Sequence, residues 1–292
     1  MNFLSKSIFT PFILGLIPVV SFADWELNLP RGVTPFSQDI YDLHMYVLWI
    51  VCAIGVVVFG AMFYSIFAHR KSRGAKAANW HHSTKVEVLW TVIPFAILIA
   101  VAVPATKSLI MMEDVSNADM TIKVTGYQWK WHYDYIGQDV SFYSTIANDS
   151  NMTRQRGSQL DPYSVDNYLR DVDNYLVVPT NKKIRFLTTA GDVIHAWWVP
   201  ALGWKRDAIP GFINESWALI QEPGIYRGQC AELCGKDHGF MPIVVKAVPE
   251  EEYLTWVAAR ADQKKLARQH KSVSDTLKSV VLVDTNERVL GK

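Results

Sequence analysis

Uncharged, mostly apolar residues run without a break from Met45 to Ala68 and again from Val88 to Thr106. At 1.5 Å rise per residue, each run can cross a hydrocarbon layer of about 30 Å as a helix. Pro94 and Pro104 would break a soluble helix but are tolerated in a membrane one. Between the runs lies a polar connector, residues 69–85, with Arg70, Lys71, Arg73, Lys76 and Lys85 and no acid. A basic loop of this kind belongs on the cytoplasmic side. The first 23 residues read as a secretory signal: Lys6, a short apolar stretch from Ile8 to Val20, then Ser21-Phe22-Ala23 with small residues at the cleavage positions. The mature chain then starts near Asp24, and both of its ends face outward.

After Glu113 the pattern changes to short alternating runs. In residues 121–135 the apolar phase moves from even positions (Ile122, Val124) to odd ones (Tyr127, Trp129, Trp131, Tyr133), which predicts a bulge at Gly126. Further strands are expected at 174–178, 183–188, 193–199, 216–221, 225–229 and 241–247, with Pro and Gly between them. Many short strands at this spacing predict an all-β sandwich or small barrel. Residues 137–173 are polar and read as a strand-poor insertion. Pro249 followed by Glu250-Glu251-Glu252 opens a predicted helix, and the last residues read as a polar tail. The expected division is 1–23 signal, 24–112 helical hairpin, 113–249 β domain, and 250–292 helix and tail.

Composition only excludes. Of 292 residues, 50% are hydrophobic and 20% charged, and the net charge is +1. That leaves no basic excess for nucleic-acid binding and rules out a disordered chain. Three cysteines are too few for a disulfide-built scaffold. Residues 113–249 carry 16 acids and 13 bases, a mild net −3.

The chemistry concentrates in Cys230-Ala-Glu-Leu-Cys234-Gly-Lys-Asp-His238-Gly-Phe-Met241, with a second imidazole at His195. Soft thiolate, thioether and imidazole donors select copper over hard cations. Structural zinc has no need of Met241. A single blue-copper centre leaves one cysteine surplus, and a disulfide ignores His238 and Met241. The set fits two copper ions sharing two bridging thiolates. His81, His82, His132 and Cys52 are read as solvated or packing residues.

Several stretches together resemble subunit II of haem–copper terminal oxidases of the cytochrome c oxidase type. They are Lys85–Pro94, Gly126–Trp131, Asp192–His195, Asp207–Gly211 and Cys230–Met241. The resemblance implies two transmembrane helices followed by a cupredoxin-like Greek-key sandwich. It further implies a dinuclear copper A centre bridged by Cys230 and Cys234. His195 and Met241 would complete one copper, and His238 with the backbone carbonyl of Glu232 the other. The Glu232 side chain would face a magnesium ion at the boundary with subunit I. Trp129 would receive electrons from cytochrome c, and Glu87 would stand at the mouth of a proton pathway. Haems are expected only in subunit I, and the copper domain on the outer side of the plasma membrane. Two other readings are a copper-free quinol-oxidase-type subunit and a membrane-tethered copper-handling protein acting alone.

Overall fold

A computed structural model describes residues 28–262 apart from Ala78 and Trp80. The expected signal segment at 1–23 and the polar tail lie outside the described residues. The chain divides into two units, residues 1–30 and 31–292, and all the elements below belong to the second.

Helix α1 spans Pro35–Ala68 and helix α2 spans Thr84–Glu113. Both are long and apolar enough to cross a membrane. α1 starts ten residues before the uncharged run because its N-terminus is capped. The Thr34 hydroxyl accepts from the Ser37 amide at 3.0 Å, Ser37 Oγ accepts from the Thr34 amide at 3.0 Å, and Pro35 takes the first helical position. At 34 residues α1 is about 51 Å long, so it outreaches the hydrocarbon layer. Its extra turns, with Asp39 and Asp42, continue toward the β domain. There the Ser108 hydroxyl on α2 donates to the Asp39 carboxylate, joining the two helices. Cys52 lies on the exposed surface of α1, so it is not a packing residue within the chain.

Ten strands follow among the described residues, in two five-stranded sheets. The first sheet has the order β3 (Val140–Ser144), β2 (Lys130–Tyr135), β1 (Met120–Tyr127), β5 (Lys183–Ala190), β8 (Asn214–Leu219). The second has the order β4 (Leu176–Pro179), β10 (Pro242–Val248), β9 (Gly224–Cys230), β6 (His195–Trp198), β7 (Lys205–Ala208). β1 runs parallel to β5 and β10 parallel to β4; the other pairs are antiparallel. Ile122, Val124, Tyr133, Ile184 and Phe186 from the first sheet meet Leu176, Trp197, Ile243 and Val245 from the second, all fully buried. Each such aliphatic or Phe side chain contributes about 1.5–3 kcal/mol by leaving water.

The bulge expected at Gly126 is not there. β1 and β2 form a hairpin whose last pair is Tyr127 with Lys130, leaving Gln128 and Trp129 as a two-residue turn. Ile122 opposes Tyr135 and Val124 opposes Tyr133. Partner numbers therefore have opposite parity, and the apolar phase must switch across the turn. The segment 137–173 is also less strand-poor than its composition predicts. β3 lies within it as an edge strand, and helix α3 (Asn148–Thr153) follows. Helix α4, residues 250–262, opens at the acidic run. It docks by burying Tyr253 and setting Trp256 5.4 Å from Tyr135, ring centre to ring centre.

The helical hairpin is sutured to the sandwich at both outer ends. Beside α1, the Val33 amide donates to Ala201 at 3.0 Å and the Thr34 hydroxyl to Leu202 at 3.1 Å. Gly203 has φ of +87°, and a Cβ there would lie 2.7 Å from the Ser37 backbone, so only glycine fits. Beside α2, the Trp217 indole donates to the Met111 carbonyl at 3.1 Å, and Arg206 pairs with Glu113 at 2.9 Å. The sandwich is thus fixed to the membrane hairpin by hydrogen bonds and an ion pair, not merely tethered to it.

Candidate metal centre

The topology gathers the chemistry at one end of the sandwich. His195 opens β6, Cys230 closes the neighbouring β9, and Met241 directly precedes β10. Trp197 and Cys230 are register partners, and the Ala231 amide donates to Ala196 at 3.0 Å, which sets the two ligand-bearing strands side by side. The Cys230 amide donates to the Met241 carbonyl at 3.0 Å, so the loop between them closes on itself.

Inside that loop Cys230 Sγ and Cys234 Sγ are 3.8 Å apart, and both thiols are free and buried. His195 Nδ1 stands 3.9 Å from Cys230 Sγ, and His238 Nδ1 stands 3.6 Å from Cys234 Sγ. The donor atoms of His195, Cys230 and Cys234 lie within 4.8 Å of one another. Met241 is buried beside them in sequence, and the Glu232 carbonyl lies 3.4 Å from Cys230 Sγ. The Glu232 side chain is exposed.

Two residues that sequence reasoning did not single out hold this pocket. Asp192 Oδ1 lies 2.9 Å from His195 Nε2, so Nε2 carries a proton toward the carboxylate and Nδ1 is the nitrogen that faces the thiols. Asp192 also accepts from the Gln128 amide at 2.7 Å. Gln128 Nε2 in turn donates to the Cys234 carbonyl at 2.9 Å, and the Trp129 indole donates to the same oxygen at 3.2 Å. The β1–β2 turn therefore bridges both ligand loops. Asp192 lies three residues before His195, a signal visible in the sequence; the Gln128 contact joins residues 106 apart and has no local signature.

The electrostatics divide the two thiols. Burial pushes the Cys230 thiol up, but hydrogen bonds from His195 and with the Glu232 backbone outweigh it and bring it down to about 7. Burial, then the neighbouring Cys230 charge, pushes Cys234 up to about 12. Burial opposes the charged form of His195, yet Cys230 and Asp192 together raise its pKa. Asp192 is held low despite burial, by His195 and two backbone amides.

Gly126 is where the opposite sheet touches this site. A Cβ there would lie 2.7 Å from His195 Cδ2. Gly126→Ala is therefore expected to cost about 1–3 kcal/mol by overpacking, seen as a lower unfolding midpoint. An unchanged midpoint would mean that the His195 ring is not packed on Gly126.

Glu87 is elsewhere. It sits in the first turn of α2, at the end of the hairpin away from the sandwich, where its carboxylate also suits the positive helix terminus. His132 lies on the sheet surface, 2.9 Å from the Ser141 hydroxyl, and burial lowers its pKa.

Comparison with known proteins places this arrangement. Residues 120–248 match the family model for the cytochrome c oxidase subunit II periplasmic domain, and residues 22–108 match its transmembrane domain. A probable cytochrome c oxidase subunit 2 of Rickettsia bellii is 38% identical over 255 residues, covering 85% of this chain and 91% of its own. The chain belongs to the cytochrome c oxidase subunit II family. The subunit 2 of Cereibacter sphaeroides is 37% identical over 234 residues, covering 77% of each chain. The crystal structure of the periplasmic domain of subunit II from Bradyrhizobium japonicum is 43% identical, with a TM-score of 0.44, over 51% of this chain and 98% of that one. As a member of this family the protein is a membrane subunit with transmembrane helices and a periplasmic cupredoxin-like domain. Its family supports a role in an oxidoreductase complex beside other oxidase subunits.

Proposed function

We propose that this chain is the electron-input subunit of a proton-pumping cytochrome c oxidase of the plasma membrane. In this reading cytochrome c delivers electrons at Trp129, and they pass through a dinuclear copper A centre to the haem-bearing subunit I, where oxygen is reduced to water. The observation that carries it is the donor cluster: two free buried thiols 3.8 Å apart, each with an imidazole nitrogen within 3.9 Å. A copper-free quinol-oxidase-type subunit has no use for such a set.

Cys230 and Cys234 would bridge the coppers. His195 and Met241 would hold one, and His238 and the Glu232 carbonyl the other. When bound, such a pair spreads one electron's change of charge over two metals and two sulfurs, which keeps reorganisation small. The chain's own residues supply rigidity. Asp192 fixes the His195 tautomer, and the Gln128–Trp129 turn holds the Cys234 carbonyl. The exposed Glu232 carboxylate would meet magnesium at the subunit I boundary, and Glu87 would feed protons to subunit I from the cytoplasmic end of α2. The basic 69–85 connector supports that orientation.

The test is turnover of the purified oxidase complex with two donors. Oxidation of reduced cytochrome c, lost on substituting either cysteine, is the expected result. Turnover with a quinol and none with cytochrome c would favour the quinol-oxidase reading instead.

A further inference from the structure

We infer that Arg154, at the end of α3, is a positioning residue that clamps the copper loop from outside. The inference rests on the copper reading above and gives a role to the 137–173 segment. Arg154 Nε donates to Asn151 Oδ1 at 2.9 Å, and its Nη1 donates to Asp237 Oδ1 at 3.2 Å. The guanidinium carbon lies 4.3 Å from the centre of the Phe240 ring. Asp237 and Phe240 bracket His238 in sequence, so one side chain grips the loop on both sides of a ligand. The pair is only 19% and 23% exposed, which limits screening by water.

The clamp has a fixed base. The Ala147 amide donates to Asp171 at 2.9 Å and the Asp173 amide to Thr145 at 3.0 Å, closing the segment into a loop joined at its neck. Within it, the fully buried Ser150 hydroxyl accepts from the Leu169 amide at 3.0 Å. The Arg154 amide donates to Ser150 at 3.0 Å, which sets the direction of the side chain. A planar guanidinium can donate to a carboxylate at its edge and stack a ring on its face; an ammonium makes a point contact only.

The experiment compares wild-type, Arg154→Ala, Arg154→Lys and Asp237→Asn in the full chain. Hydrogen exchange is measured on the metal-free protein, and copper release to a chelator on the loaded one. In Arg154→Ala, amides from Gly235 to Met241 should exchange about ten-fold faster while those of β1 and β5 stay unchanged. Copper should leave about ten-fold faster, the usual scale for losing a group that orients a ligand. Arg154→Lys should fall between, and Asp237→Asn should resemble Arg154→Ala. If Arg154→Ala does not accumulate, the two conservative variants decide. Wild-type loop exchange in the folded variants overturns the inference. If the wild-type chain takes up no copper, the copper reading falls, and the exchange measurement still decides the clamp.

Discussion

Cys230→Ser is expected to abolish copper uptake, and Cys234→Ser to leave at most one copper per chain without the shared-electron signature. The asymmetry follows from the pocket. Cys230 contacts His195 and lies beside the Glu232 carbonyl, and its thiol is the more acidic of the two. Cys234 keeps its proton at neutral pH until a cation replaces it. Loading must therefore release protons, and uptake should weaken as pH falls through about 7, where Cys230 takes up its own proton. Without Cys230 the pocket loses the sulfur that lies against both His195 and Cys234. Without Cys234, the His195, Cys230 and Met241 donors remain for a single ion. Metal analysis of the two variants, with uptake followed against pH, checks this. Full loading of Cys230→Ser would show that the thiols do not hold the metal.

Trp129→Phe is expected to slow electron transfer from cytochrome c by about ten-fold or more, equivalent to about 1.4 kcal/mol or more of barrier, while cytochrome c binding changes far less. The indole is half-buried in the β1–β2 turn, and its N–H donates to the Cys234 carbonyl at 3.2 Å. That bond links a partly exposed ring to the backbone of a proposed ligand. Phenylalanine keeps much of the packing but removes the donor. The Gln128 amide would still hold the same carbonyl at 2.9 Å, so copper content should be retained. Single-turnover kinetics at varied cytochrome c concentration separate transfer from binding. An unchanged transfer rate would move the point of electron receipt away from Trp129.

The parts legible in the sequence were those with local signatures. The two spans were visible as uncharged runs, and eight of the ten strands lie in seven runs of alternation bounded by Pro and Gly, the run 121–135 holding both β1 and β2. β7 escaped because Lys205-Arg206-Asp207-Ala208 is charged at an edge, where its pairing with β6 needs no apolar face. β3 escaped because it opens a polar segment. The phase switch that suggests a bulge at Gly126 comes from the two-residue turn, since a turn and a bulge shift the phase alike and only the pairing separates them. In the site, Cys230, Cys234, His238 and Met241 stand out because they crowd one loop. The residues that hold them do not: Gln128 and Arg154 meet that loop across 106 and 83 residues. Such contacts are made by topology, and no spacing in the chain announces them.

The most direct test of the central claim is an electron paramagnetic resonance spectrum of the full chain loaded with copper and half-reduced. One unpaired electron shared equally by two copper nuclei, with two coppers per chain by metal analysis, is the predicted result. A signal from a single copper nucleus, or a chain that binds no copper, would contradict it.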